Sequence, residues 1–268
     1  MSGRGSRGIS SRTIAITAIF TAFTAAVTMA LAIYIPATRG YFDVGEIMVY
    51  VTAMLMGPRI GAFAGGVGSA ISDAILAPVY APGTLVIKGT EGFLVGYLTR
   101  RVPARLSRAT WLATGGMLGA VLGLIVAWIG IAFLSGSQTL YLGLSYCTAN
   151  CSSSGAVDST IGPQFTANFF VPFQLWLIVG AVAFALVTLA VVRLDEKVGW
   201  TILSILVGGA AMVSGYFLYE SIVLQLGFIT ASYEVPFNVG QVLVGLIVSI
   251  PVVRSYRRMA ARAPIKSV

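Results

Sequence analysis

Basic residues in this chain cluster between long apolar runs, and this segregation constrains the fold more than any other feature. Apolar runs bounded by charges or by Pro/Gly clusters occupy about residues 13–34, 44–57, 60–77, 84–99, 110–134, 171–193, 200–227 and 238–254. Such runs bury their backbone polar groups in lipid only as helices, because lipid offers no hydrogen-bond partner. With a cytoplasmic N-terminus, the inner segments hold Arg4, Arg7, Arg12, Arg59, Arg100, Arg101, Arg105, Arg108, Arg193, Lys197, Arg254, Arg257, Arg258, Arg262 and Lys266. Those are 15 of the 17 basic residues; Arg39 falls outside and Lys88 falls within a run. This is the positive-inside pattern. It predicts eight spans with both termini inside.

Composition agrees. The chain is 57% hydrophobic and 10% charged, with a mean hydropathy of +0.90, against roughly 25% charged residues in soluble domains. We expect one all-α membrane domain over residues 1–268, in the cell membrane, with a basic cytoplasmic tail at 255–268. The net charge of +8 reflects topology and headgroup contact, not nucleic-acid binding. The first run follows basic residues and shows no obvious small-residue cleavage site, so it reads as retained.

Histidine is absent, which removes the usual general base near neutral pH. There is also no phosphate loop, no nucleophile–base set and no metal-ligand cluster. An enzyme is not expected, no cofactor is expected, and any ATP-driven action must come from partner subunits. Cys147 and Cys151 sit in a polar, Ser/Thr/Gly-rich connection at 135–170, with Asn150-Cys151-Ser152 as a glycosylation pattern. The cysteines form a local disulfide if that loop faces an oxidising side, or stay as two thiols. The loop itself reads as a solvated connection or as a lid.

The ionisable residues inside the apolar runs point to function. Asp43 and Glu46 open the second run, Asp73 ends the third, Lys88 and Glu91 begin the fourth, Glu220 lies in the seventh, and Glu234 precedes the eighth. Buried charge in a membrane is costly and marks a site, a pathway or a mutual pair. Lys88 and Glu91 share a helix face, and Asp73 can approach Lys88 from the preceding helix. Most of these groups gather in the outer half of the bundle, as a hydrated pocket open to the exterior requires. A second pattern is the repeat of Ala18, Ala22, Ala26 and Ala30 at every fourth residue. It permits close helix contact, either with the small-residue third run, Gly61–Ala74, or with another membrane protein.

Residues 36–98 resemble the substrate-binding S component of energy-coupling factor (ECF) vitamin transporters, within the riboflavin-transporter-like superfamily. The resemblance rests on Gly40–Phe42, Asp43, Gly45, Glu46, Gly57-Pro58, Asp73, Tyr80, Pro82, Thr84 and Lys88-Gly89. Residues 215–253, with Pro236-Phe237-Asn238 and Gln241, are similar to the last two helices of that family. The resemblance implies capture of a vitamin-like molecule from outside and delivery to a transmembrane coupling subunit and ATPases. It also implies that Ala18, Ala22 and Ala26 dock the coupling subunit. The family has six spans, so residues 110–193 read as an inserted two-span hairpin between the first four spans (13–99) and the last two (200–254). The expected pocket contacts are Tyr41, Thr84, Tyr216, Asn238 and Gln241, with Glu46, Lys88, Glu91 and Glu220 supplying charge and Asp73 supporting the loop. A proton-coupled secondary transporter that needs no partner is the alternative.

Overall fold

The computed structural model describes residues 10–36, 38–101, 108–133, 135–142, 165–193 and 196–262. Cys147, Asn150, Cys151 and Asp158 lie outside the described residues. The chain divides into two compact units, one of residues 1–105 with 196–268 and one of residues 106–195.

The first unit opens with α1 (Ser11–Ala30), whose first turn is capped by the Ser10 hydroxyl accepting from the Thr13 N–H at 3.2 Å. The helix ends at Ala30 instead of reaching residue 34 as expected. Residues 32–35 form β1 (Ala32–Ile35), paired antiparallel with β2 (Gly40–Asp43). Hydropathy alone reads Ala-Ile-Tyr-Ile as more helix, but Pro36 disfavours the helical conformation for Ile35. Arg39, at φ 61°, completes the reversal.

Two short helices follow, α2 (Glu46–Met56) and α3 (Pro58–Leu76). They are separated by Gly57 alone, which sits at φ 86°, a conformation glycine adopts without steric cost. Pro58 at the first position of α3 lacks an N–H that would be unbonded there in any case. Helix α4 (Ala81–Leu98) starts earlier than residue 84, so the turn after α3 is shorter than the expected Pro78–Gly83. Pro82 is accommodated in the first helical turn.

Helix α7 (Glu196–Leu218) runs into a π-helical turn at Tyr219–Val223, where the Leu224 N–H donates to the Tyr219 carbonyl at 2.9 Å. A short α8 (Phe228–Ser232) precedes α9 (Val235–Arg262). The expected tail at 255–268 is thus helical as far as Arg262.

Within this unit α3 packs against both α1 and α4, α4 against α7, and α2 against α9. The α3–α4 contact is close: a Cβ on Gly61 would lie 2.9 Å from the Gly92 carbonyl oxygen and 2.8 Å from Ala53 Cα. Threonines form the inner stripe of α1. Thr21, Thr24 and Thr28 are buried, each bonding its hydroxyl to the carbonyl four residues back. Ser72 of α3 donates to the Ala25 carbonyl at 3.0 Å. Ala18, Ala22, Ala26 and Ala30 are left exposed on the opposite side. A core of Val49, Tyr50, Ala53, Val95, Ile205 and Val253 joins α2, α4, α7 and α9.

In the second unit, α5 (Arg108–Phe133) packs along α6 (Phe173–Arg193). The connection expected to be a polar loop also contains a hairpin: β3 (Gly136–Leu142) pairs antiparallel with β4 (Phe165–Val171), with Gly136 opposite Val171. In β4, Phe165, Ala167 and Phe169 alternate with Thr166 and Asn168, a strand pattern that the overall Ser/Thr/Gly composition of the connection obscures.

Candidate functional site

A cavity in the first unit lies where the β1–β2 hairpin, the end of α3, α7 and the start of α9 converge. Its empty space is about 290 Å³, counting the part open to solvent. Tyr41 and Asp43 come from β2, Asp73 from the last turn of α3, and Tyr80 from the α3–α4 turn. Tyr216 comes from α7, Glu234 from the α8–α9 junction, and Asn238 and Gln241 from the first two turns of α9. Gly40 completes the lining.

Hydrogen bonds fix this wall. Asp73 accepts from the hydroxyls of Tyr41 and Thr84, and Thr84 also shares a bond of 2.8 Å with the Tyr216 hydroxyl. Asp43 accepts from the Gly45 N–H at 2.6 Å, starting α2, and from Gln241 Nε2 at 3.1 Å, tying α9 to the hairpin. The Tyr80 hydroxyl donates to the Thr38 carbonyl at 2.9 Å and so anchors the hairpin to the α3–α4 turn. Burial pushes the Asp43 carboxyl above its ordinary range, opposed by the Lys88 charge and the Gly45 N–H. Burial first, and then the charges of Asp73 and Asp43, push the Tyr41 phenol up, so it stays a hydrogen-bond donor.

A second polar layer does not line the cavity. Lys88 and Glu46 form an ion pair between α4 and α2, and both are buried. The Lys88 ammonium also lies 5.6 Å from the centre of the Tyr216 ring, within cation–π range. Glu91 accepts from the Tyr50 hydroxyl at 2.7 Å. Lys88 therefore pairs across helices with Glu46, not with Asp73, while Asp73 is held by hydroxyls. Glu220 is fully buried in the π-helical turn, beside Glu234. π-Helical turns are frequent at functional sites.

The structure thus brings Tyr41, Asp73, Tyr216, Asn238 and Gln241 together in one wall. Thr84 lies directly behind it, bonded to two lining residues, while Glu46, Lys88 and Glu91 form the deeper layer. Sequence reasoning left Gly40, Asp43, Tyr80 and Glu234 out of the contact set. The signal for all four was present. Gly40, Asp43 and Tyr80 belong to the resembling motifs, and Glu234 is an isolated acid immediately before an apolar helix.

A protein-family model described as "ECF-type riboflavin transporter, S component" matches residues 8–157, more than half of the chain. A protein of Pyrococcus woesei, described as an uncharacterized protein in the gap 3′ region, is 46% identical over 114 residues. That match covers 42% of this chain and 70% of the relative.

Proposed function

Since the chain belongs to the family of ECF-type riboflavin transporter S components, we propose that it captures a vitamin or related small molecule from outside for ATP-driven uptake powered by partner subunits. Membership makes it a multi-pass membrane protein and a substrate-binding transporter component; the ligand's capture site, the driving force and the topology are our reading. The observation that carries the reading is the cavity itself, with three tyrosines, Asn238 and Gln241 converging from β2, the α3–α4 turn, α7 and α9. Aromatic walls with a few fixed polar groups suit small-molecule ligands.

In this reading the chain crosses the plasma membrane eight times with both ends inside, and the cavity faces out. Supporting it are the positive-inside bias and three described helical segments long and apolar enough to cross: Ser11–Ala30, Val198–Val223 and Phe228–Arg262. The exposed Ala18, Ala22 and Ala26 stripe offers a smooth face for the coupling subunit, and residues 110–193 form the inserted hairpin. Proteoliposomes test the driving force. Uptake should require the coupling subunit, the ATPases and ATP; uptake by this chain alone, driven by a pH gradient, would replace the proposal with secondary transport.

A further inference from the structure

The polar interior carries more acid than the chain's own cations balance. Among the described residues, the buried ionisable acids are Asp43, Glu46, Asp73, Glu91, Glu220 and Glu234, against Lys88 alone among basic residues. Lys88 is engaged by Glu46 and does not line the cavity. Three of the acids, Asp43, Asp73 and Glu234, do line it.

These three are not equivalent. Asp43 and Asp73 each accept from two neutral donors, one on each carboxyl oxygen. That is how an ionised carboxylate, which can only accept, is satisfied. Glu234 is 4% exposed; Thr38 bonds its carboxylate, the neighbouring Glu220 carboxyl can donate to it only while protonated, and its Oε2 has no other hydrogen-bond partner among the described residues. A buried acceptor left unmade is costly, and more so when charged. Something that donates to Oε2 would remove that cost. The rings of Tyr41, Tyr80 and Tyr216 share the wall, and the face of a phenol ring attracts cations. Nor are the acids grouped about one metal position, since no three Asp, Glu or Cys side chains among the described residues could hold an ion together.

We propose that the cavity selects a small organic cation, with a positively charged N–H group of the ligand donating to Glu234 Oε2 between the tyrosine faces. Asp43 and Asp73 supply the remaining negative field and keep the geometry of the wall. The inference rests on the capture reading above and adds the charge class of what is captured.

The test is calorimetric titration of the full chain in detergent with water-soluble vitamins sorted by charge. Pyridoxamine, whose protonated primary amine carries the N–H, serves as the cation, riboflavin and pyridoxine as largely neutral rings, and biotin and pantothenate as anions. The cation should bind at least about tenfold more tightly than any other, and Glu234→Gln should weaken it by about ten- to a hundredfold, as expected for a lost charge-assisted hydrogen bond. Tighter binding of a neutral or anionic member would overturn the cation proposal while leaving capture intact. Silence from every member would overturn capture, and the charge inference with it. Should Glu234→Gln fail to fold, the wild-type ranking by charge decides alone.

Discussion

Replacing Lys88 with methionine preserves most of its length and bulk and removes its charge, which makes it a direct probe of the layer beneath the cavity. Glu46 has no exposed surface and Lys88 is 4% exposed. Glu46 Oε1 meets the Lys88 ammonium, and Oε2 has no hydrogen-bond partner among the described residues. Asp43 and Glu91 also feel the Lys88 charge. The variant therefore strands a carboxylate away from water, and breaking such a pair from one side costs about 3–5 kcal/mol. At roughly 2–4 °C per kcal/mol for a chain of about this size, the apparent Tm in detergent should fall by roughly 6–20 °C. Adding Glu46→Gln removes the stranded charge, so the double variant should regain most of the loss, as two contacting residues couple non-additively. Scanning tryptophan fluorescence through the thermal transition reads all three proteins. A Lys88→Met protein as stable as wild type, or a double variant no better than the single, would refute the buried-pair reasoning.

Two further substitutions separate packing from docking. Gly92→Ala places a methyl group against the Gly61 backbone, so α3 and α4 must move apart; thermal unfolding should show a loss of about 1–3 kcal/mol, the usual cost of overpacking. Ala22→Leu on the exposed face of α1 should leave Tm and ligand affinity unchanged. Yet it should reduce co-purification of the coupling subunit, and undiminished complex formation would remove the docking role of that stripe.

Much of the fold was legible because lipid imposes a simple rule: long apolar runs become helices, and a helix covers most of each expected run. What escaped were short segments whose structure depends on distant partners. Ala32–Ile35 is apolar enough to extend α1, and becomes a strand because Gly40–Asp43 pairs with it. The Lys88–Glu46 pair links positions on α4 and α2, whereas helical spacing displays only the neighbour three residues away, Glu91. Glu234 and Tyr80 reach the cavity through the α8–α9 junction and the α3–α4 turn, and hydropathy carries no information about where such turns point. Conversely, Asn238 and Gln241 were legible through the resemblance of residues 215–253 to the last two helices of the S components, where they open the final helix.

Capture of a small molecule is tested most directly by native mass spectrometry of the purified chain, first as isolated and then after incubation with the vitamin panel. A single bound molecule of defined mass per chain is expected, displaced in the Asn238→Ala variant while the protein still unfolds cooperatively. A chain that carries no small molecule as isolated and takes up none from the panel, though folded, would contradict a capture function.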